Sequence, residues 1–321
     1  MSRRVIVPVN LPCCAEPPFC HLCAPTASAV TAELVDALIF HYRNDVARDG
    51  DQLLVSFFGG APPSEALLEA TGDLPVRARV RPDLLTRAEA ARLVSAGTVA
   101  IELDALSMHD PSLRAIGRQH RSGIIPEMSA GLREQGVEVG IVLAVGLPRS
   151  DHDSCIEDAR RILPLADFAR LHPVLVLRGS RLEQQHLDQL YHPLSVQAAV
   201  HTCRHMLDIL EGGGVEVIRI GLQAGPDGLG RAVAGPTHSA LRQLVEAKRV
   251  LDVLRGLMTG QSSGPHIAVR CAPADETRTR GPFNEHVRIL KAEYKLSTVR
   301  VVPDPEMSRG QWRVEASRES A

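Results

Sequence analysis

Aromatic side chains are scarce in this chain, at 3% of residues, so a core of ordinary size has to be built from Val, Leu, Ile and Ala. Lysine is scarce too, occurring only at Lys248, Lys291 and Lys295, and arginine carries nearly all the positive charge. The formal net charge of −2 offers no general field for a polyanion, and nucleic acid is not implied as a partner. Long apolar runs are missing: no stretch approaches the roughly 18 uninterrupted apolar residues of a membrane span. The opening MSRRVIVPVNLPCC has two arginines and a short apolar run, but Pro8 and Pro12 break it and no small-residue cleavage site follows, so it does not read as a signal peptide. A cytoplasmic protein is expected, with thiols kept reduced and little reason to pair the seven cysteines as disulfides.

The 321 residues present suit an α/β barrel with an appendage. Short β-rich runs recur: VIVPV, LLVSFF, VRARV, VAIEL, VEVGIVLAV, FARLHPVLVL and VEVIRIG, with a weaker HIAVRC later. Helix-like stretches lie between them, among them TAELVDALIF, LLTRAEAARLVSAG, CIEDARRILPLA and PLSVQAAVHTCRHMLDILEGG. Alternation on this spacing predicts a parallel sheet, open or rolled into a barrel, and the lack of strict polar alternation predicts strands buried on both faces. A boundary is expected near 210–215, dividing a core at 1–210 from an extension at 211–321. LMTGQSSGPH reads as a long loop and SRGQWRVEASRESA as a partly loose tail.

In parallel α/β folds functional groups gather at the C-terminal ends of strands. The first such exit carries LPCCAEPPFCHLCAP, which holds Cys13, Cys14, Cys20 and Cys23. Pro17, Pro18 and Pro25 make this a loop, which disfavours reading the cysteines as small buried hydrophobes. Thiolates suit zinc or iron–sulfur. A zinc set of Cys13, Cys20, Cys23 and His21 is conceivable, although neighbouring Cys20 and His21 make awkward joint ligands and no second CxxC occurs. The spacing Cys14-x5-Cys20-x2-Cys23, at the mouth of a barrel, instead suggests a four-iron cluster with one iron left open.

An ordered series of segments carries a resemblance. VIVPVNLPC and CHLC at the first strand, FFGGAPP at the second, RVRPDLL at the third and IELDALSMHDPSLRAIGRQH at the fourth are followed by LREQGVEVGIVLAVGLPRSD, LHPVLVLRGSRLEQQHLDQLYHPLS, VEVIRIGLQAG and VAGPTHSALRQLVEA. Together they resemble the radical S-adenosylmethionine (SAM) superfamily, specifically bacterial relatives of the Elongator catalytic subunit and of oxygen-independent coproporphyrinogen oxidase. The resemblance implies an α/β fold, a partial (βα)6 TIM-like barrel of parallel strands with a C-terminal α/β extension. It implies a 4Fe–4S cluster on Cys14, Cys20 and Cys23, with Cys13 as the alternative first ligand, and SAM chelating the open iron. It also implies reductive cleavage of SAM to a 5′-deoxyadenosyl radical, with electrons from a donor such as flavodoxin or ferredoxin.

Gly59 and Gly60 follow the second strand, where a bare backbone can meet the cofactor amine or simply make a tight turn. Arg81, beside Asp83, is a candidate cofactor contact, and of Glu102, Asp104 and Ser107 at the fourth strand Ser107 is favoured. Arg170 and His172 share one strand face and Arg178 follows at its exit, a set suited to a substrate carboxylate or phosphate. Arg219 and Gln223 are comparable, while Cys155, Cys203 and Cys271 read as ordinary buried residues.

The sequence departs from the family's common C-x3-C-x2-C loop by two residues, and Leu106-Ser107 stands where a Gln-Ser pair is usual. The acetyltransferase domain and basic segments of the Elongator relatives have no counterpart here, so a tRNA activity is not carried over. The expected substrate is a small molecule or peptide. A non-catalytic metal-binding scaffold and a cluster enzyme transferring the methyl or aminocarboxypropyl group of SAM are the alternatives.

Overall fold

The computed structural model describes residues 3–11, 20–23, 30–221, 229–259 and 264–317. Two compact units divide the chain, Met1–Ser239 and Ala240–Ala321. In the first, strands β1 (Arg4–Asn10), β2 (Gln52–Phe58), β3 (Val76–Val80), β4 (Thr98–Leu106), β5 (Glu138–Val145) and β6 (Phe168–Pro173) come in sequence. A short β7 (Val176–Leu177), β8 (Glu216–Ile220) and β9 (Ala232–Ala234) follow. Helices α1 (Ala32–His41), α2 (Glu65–Glu69), α3 (Arg87–Ser95), α4 (Asp110–Ala115), α5 (Ile125–Glu134), α6 (His152–Ile162), α7 (Arg181–Leu187) and α8 (Val196–Gly212) lie in the connections.

The seven-stranded sheet runs β1-β2-β3-β4-β5-β6-β8. Each neighbouring pair is parallel. It curls into a partial TIM-like barrel, as the alternation of strand and helix patterns predicts. The apolar runs explain themselves by burial: seven of eight residues of β5 and all six of β6 are buried, as strands covered on both faces require. Helix starts follow their caps. Thr86 accepts from the Glu89 amide at 3.1 Å to begin α3, Asp151 and Ser154 form a capping box at α6, and Ser195 accepts from the Ala198 amide at 3.2 Å to begin α8.

The compact units meet after Ser239 and not at 210/211. Pairing of β8 to β6, from Phe168 opposite Glu216 to Leu171 opposite Ile220, holds residues beyond 210 in the main sheet. β7 and β9 then pair antiparallel outside that sheet.

The second unit contains α9 (Leu241–Met258), β10 (His266–Cys271), α10 (Glu276–Arg280), α11 (Glu285–Glu293), β11 (Thr298–Pro303) and β12 (Trp312–Ala316). Its sheet runs β11-β10-β12, and Leu254, Met258, Ile267, Val269, Leu290 and Val314 share one apolar cluster. Within the expected partly loose tail, Trp312–Ala316 forms a strand. β12 pairs antiparallel with β10, and the Trp312 indole donates to Thr279 Oγ1 at 2.8 Å, so the chain's one tryptophan anchors the segment.

Inside the barrel sheet, Gly140 of β5 leaves room for two neighbours. A Cβ there would lie 2.4 Å from the Phe168 ring and 3.0 Å from Glu102 Cγ, both of them buried. Gly140→Ala should therefore cost about 1–3 kcal/mol. Chemical denaturation would check this, and an unchanged midpoint would show that the ring can move aside.

Candidate active site

The exits of the first two strands are bound together. The Leu11 amide donates to Phe58 O at 2.5 Å, and a Cβ on Gly59, whose φ is +152°, would fall 2.7 Å from Leu11 O. Only glycine tolerates that approach, so packing of one strand exit on the next accounts for Gly59 by itself. Gly60 O accepts from the Arg81 amide at 2.8 Å, which extends the chain of contacts to the third exit.

Cys13 and Cys14 lie outside the described residues, as does Gln223. Cys20 is buried and Cys23 half-buried, and the turn between them is held from both sides. His21 donates its amide to Ile116 O and accepts from the Leu182 amide, each at 2.9 Å. Its ring nitrogens lie 3.5 Å from Arg181 and 3.4 Å from Gln185, contacts that fix the imidazole beside α7. Leu22 packs on an apolar cluster that includes Leu106, Leu147 and Val174, residues at or just past the ends of β4, β5 and β6. The two thiols therefore sit over the C-terminal ends of the strands.

Arg81 makes a buried ion pair and not a surface one. Its Nε donates to Asp83 Oδ1 at 3.0 Å, and His120 Nδ1 lies 3.7 Å from the same carboxylate. Burial pushes the Asp83 carboxyl upward, but hydrogen bonds from His120 and Arg81 outweigh it and hold the group well below the usual carboxylate range. Ser107 is turned onto α6: its hydroxyl donates to Asp158 Oδ2 at 2.6 Å and accepts from the His109 amide at 2.9 Å. Asp158 Oδ1 also accepts from the Met108 amide at 2.8 Å. Leu106, with φ +63°, breaks the strand alternation just before this turn.

On the inner face of the sheet, Arg170 and His172 come together with Glu102 and Asp104, which the sequence ranked below Ser107, and with Arg77, Arg79 and Arg118, which it did not single out. Arg170 Nε lies 2.7 Å from Glu102 Oε2, Arg77 Nε lies 3.7 Å from Glu102 Oε1, and all three are buried. Their guanidinium carbons also sit 5.2 Å and 4.9 Å from the ring centroids of Phe58 and Phe168. Asp104 bonds Arg79 through one oxygen and Arg118 through the other. Burial raises the Asp104 carboxyl, yet these two guanidiniums prevail and keep it ionised. Arg79 Nη1 lies 3.3 Å from His172 Nδ1, and since arginine can only donate, Nδ1 is the acceptor and the proton resides on Nε2. Burial, with Arg79 and Arg170 nearby, holds His172 well below the ordinary histidine range and therefore neutral. Arg178 is exposed, its amide donating to Arg231 O at 2.8 Å, so it is not brought to this face.

Arg77, Arg79, Arg118 and Arg170 thus meet two carboxylates, Glu102 and Asp104, in one buried network, and Arg219 is close enough to Arg170 for burial and that guanidinium to lower its pKa. Such a face suits an anionic group. The signal available in the sequence was the alternation Arg77, Arg79, Arg81 against Glu102 and Asp104, but reading it needs the strand register.

Comparison with known proteins bears on the fold that carries this face. Residues 166–250 match the family described as the Radical_SAM C-terminal domain. The archaeal Elp3 of Methanocaldococcus infernus superposes with a TM-score of 0.63 at 18% identity, covering 79% of this chain and 64% of that one. A tRNA uridine(34) acetyltransferase of Dehalococcoides mccartyi is 30% identical over 117 residues, 35% of this chain and 26% of that protein. Protein YhcC of Escherichia coli is 30% identical over 83 residues, 26% of this chain and 27% of its own length. The chain thus spans about a quarter of the curated relatives it matches. Its fold is therefore that of the archaeal Elp3 structure, and residues 166–250 are similar to a radical SAM C-terminal domain. No helix among the described residues is long and apolar enough to cross a membrane.

Two outcomes follow. Glu102→Gln leaves Arg77 and Arg170 buried without their shared counter-charge and should destabilise the protein by about 3–5 kcal/mol, measurable by denaturant titration. Asp158 tests the turn after β4. Burial lifts its carboxyl from 3.8 to about 6 despite the hydrogen bonds from Ser107 and Met108. A raised acid adds stability that is fully present below about pH 4 and is lost as pH climbs through about 6, on the order of 3 kcal/mol in all. Asp158→Asn should remove that slope, raising Tm above wild type at pH 7.5 but not at pH 4.

Proposed function

We propose that this chain is a radical SAM enzyme in which Cys20 and Cys23, joined by Cys14 or Cys13, hold a 4Fe–4S cluster, and that its substrate is a small molecule or peptide bearing an anionic group. The observation that carries the reading is the clamped Cys20–Cys23 turn, set over the C-terminal ends of a parallel half-barrel whose inner face is rich in arginine. Two soft sulfur donors three residues apart fit such a cluster. When bound, the cluster and SAM would supply reductive cleavage of the sulfonium and a 5′-deoxyadenosyl radical, with electrons from a donor such as flavodoxin or ferredoxin.

The chain's own residues bind, orient and exclude water. Gly60, tied to Arg81 at the third exit, and Gly59 beside Leu11 shape the rim where the cofactor would lie. Ser107 supports the rim from behind through Asp158. Arg170 offers a guanidinium to a substrate carboxylate or phosphate, and neutral His172 offers Nε2–H as a donor, its tautomer fixed by Arg79. Exposed Arg178 would act only at the edge. Acetylation of tRNA uridine belongs to the D. mccartyi protein and is not carried over, because the match covers 26% of it. A cytoplasmic setting is part of this reading.

The test is anaerobic purification and reconstitution, followed by iron and sulfide analysis and assay of SAM products. About four irons per chain and reductant-dependent 5′-deoxyadenosine are expected, and both should vanish in Cys20→Ala and Cys23→Ala. Zinc without iron, or unchanged iron in Cys23→Ala, would sink the proposal. Methylthioadenosine or S-adenosylhomocysteine in place of 5′-deoxyadenosine would overturn its radical chemistry in favour of group transfer.

A further inference from the structure

His152, His201 and His205 converge on the helical layer of the first unit, on elements that carry none of the residues assigned to the cluster or substrate. His152 opens α6 directly after its N-cap Asp151, whose capping box with Ser154 fixes where that helix begins. His201 and His205 stand four residues apart on α8 and so share one face. The ring centroids are 5.0 Å apart for His152 and His201, 5.2 Å for His152 and His205, and 4.6 Å for His201 and His205. One nitrogen from each ring lies within 4.8 Å of the others.

Two further details distinguish this group from three rings that merely pack. His152 Nδ1 lies 3.1 Å from Thr202 Oγ1, a contact that orients the ring and leaves Nε2 to face its neighbours. His205 Nδ1 is buried and makes no hydrogen bond among the described residues, so its lone pair or proton is left unsatisfied. Arg204 adjoins the group and would oppose a cation, but Asp208 pairs with it at 3.2 Å. Imidazole nitrogens close in around a dication at ~2.0–2.1 Å, which sets their mutual separation at roughly 3.3 Å in a tetrahedron. Closing to that distance takes small movements of all three rings, and His201, which is exposed, has the most room to turn.

We propose that His152, His201 and His205 bind a borderline transition-metal dication of the Zn2+, Co2+, Ni2+ or Cu2+ class, tying the start of α6 to α8 and leaving further coordination positions to water. Nitrogen-only ligation selects these ions over Mg2+ and Ca2+, which take oxygen ligands. An ion that binds only the folded chain also stabilises it by mass action.

The experiment titrates Co2+ and Zn2+ into the full chain carrying Cys13→Ala, Cys14→Ala, Cys20→Ala and Cys23→Ala, so that the thiolates of the cysteine loop do not contribute and the result is independent of the cluster assignment. One ion per chain is expected, with a cobalt d–d spectrum free of sulfur charge transfer and a rise in Tm on Zn2+ addition. His201→Gln changes an exposed side chain and is expected to fold normally by circular dichroism while weakening Zn2+ at least about 100-fold; Thr202→Val should weaken it by about 10–100-fold. Equal affinity and stoichiometry in His201→Gln, or no bound ion before that substitution, would overturn the site.

Discussion

Glu102 is the charge on which the inside of this half-barrel depends. It lies between the guanidiniums of Arg77 and Arg170, buried with both, and no other carboxylate among the described residues is paired with either. Desolvating two arginines is tolerable only with a counter-ion at close range and with further partners, which Phe58 and Phe168 provide through their ring faces. Gly140 makes the arrangement possible, since any side chain on β5 at that level would strike both Glu102 and Phe168. A closed TIM barrel fills its interior with layers of branched aliphatic side chains. Here β3, β4 and β6 place ionic groups there, and the aliphatic residues Ala78, Leu103 and Leu171 alternate with them along the strands.

Much of the scaffold was legible because its signal is local. Apolar runs such as VEVGIVLAV announce strands buried on both faces, and Ser195, Asp151 and Thr86 announce helix starts through their own side chains. What escaped depends on pairing between distant segments. A polar-looking tail becomes β12 because Trp312 finds Thr279 and because β10 has an open edge, neither of which its composition reveals. Residues past 210 stay with the barrel because β8 hydrogen-bonds to β6.

The candidate site divides along the same line. Cys20 and Cys23 stand out by type and spacing, and Arg170 with His172 by strand alternation. The partners that give those residues their chemistry do not: Arg79 sets the His172 tautomer from 93 positions away, and Asp158 engages Ser107 from 51. The three histidines on α6 and α8 are a milder case, since His201 and His205 show the i,i+4 spacing in the sequence while His152 joins them only through helix packing.

The turn after β4 links the two halves of the site. Leu106 occupies a left-handed conformation that β-strands avoid and leucine tolerates at a cost of about 1–2 kcal/mol. That conformation has two consequences. It delivers the Leu106 side chain into the apolar cluster on which Leu22 packs, between Cys20 and Cys23. It also turns the next residue, Ser107, toward α6, where Asp158 receives both its hydroxyl and the Met108 amide. A polar residue at 106 would forfeit the first contact, so an apolar side chain there gives firmer seating to the turn that carries Cys20 and Cys23.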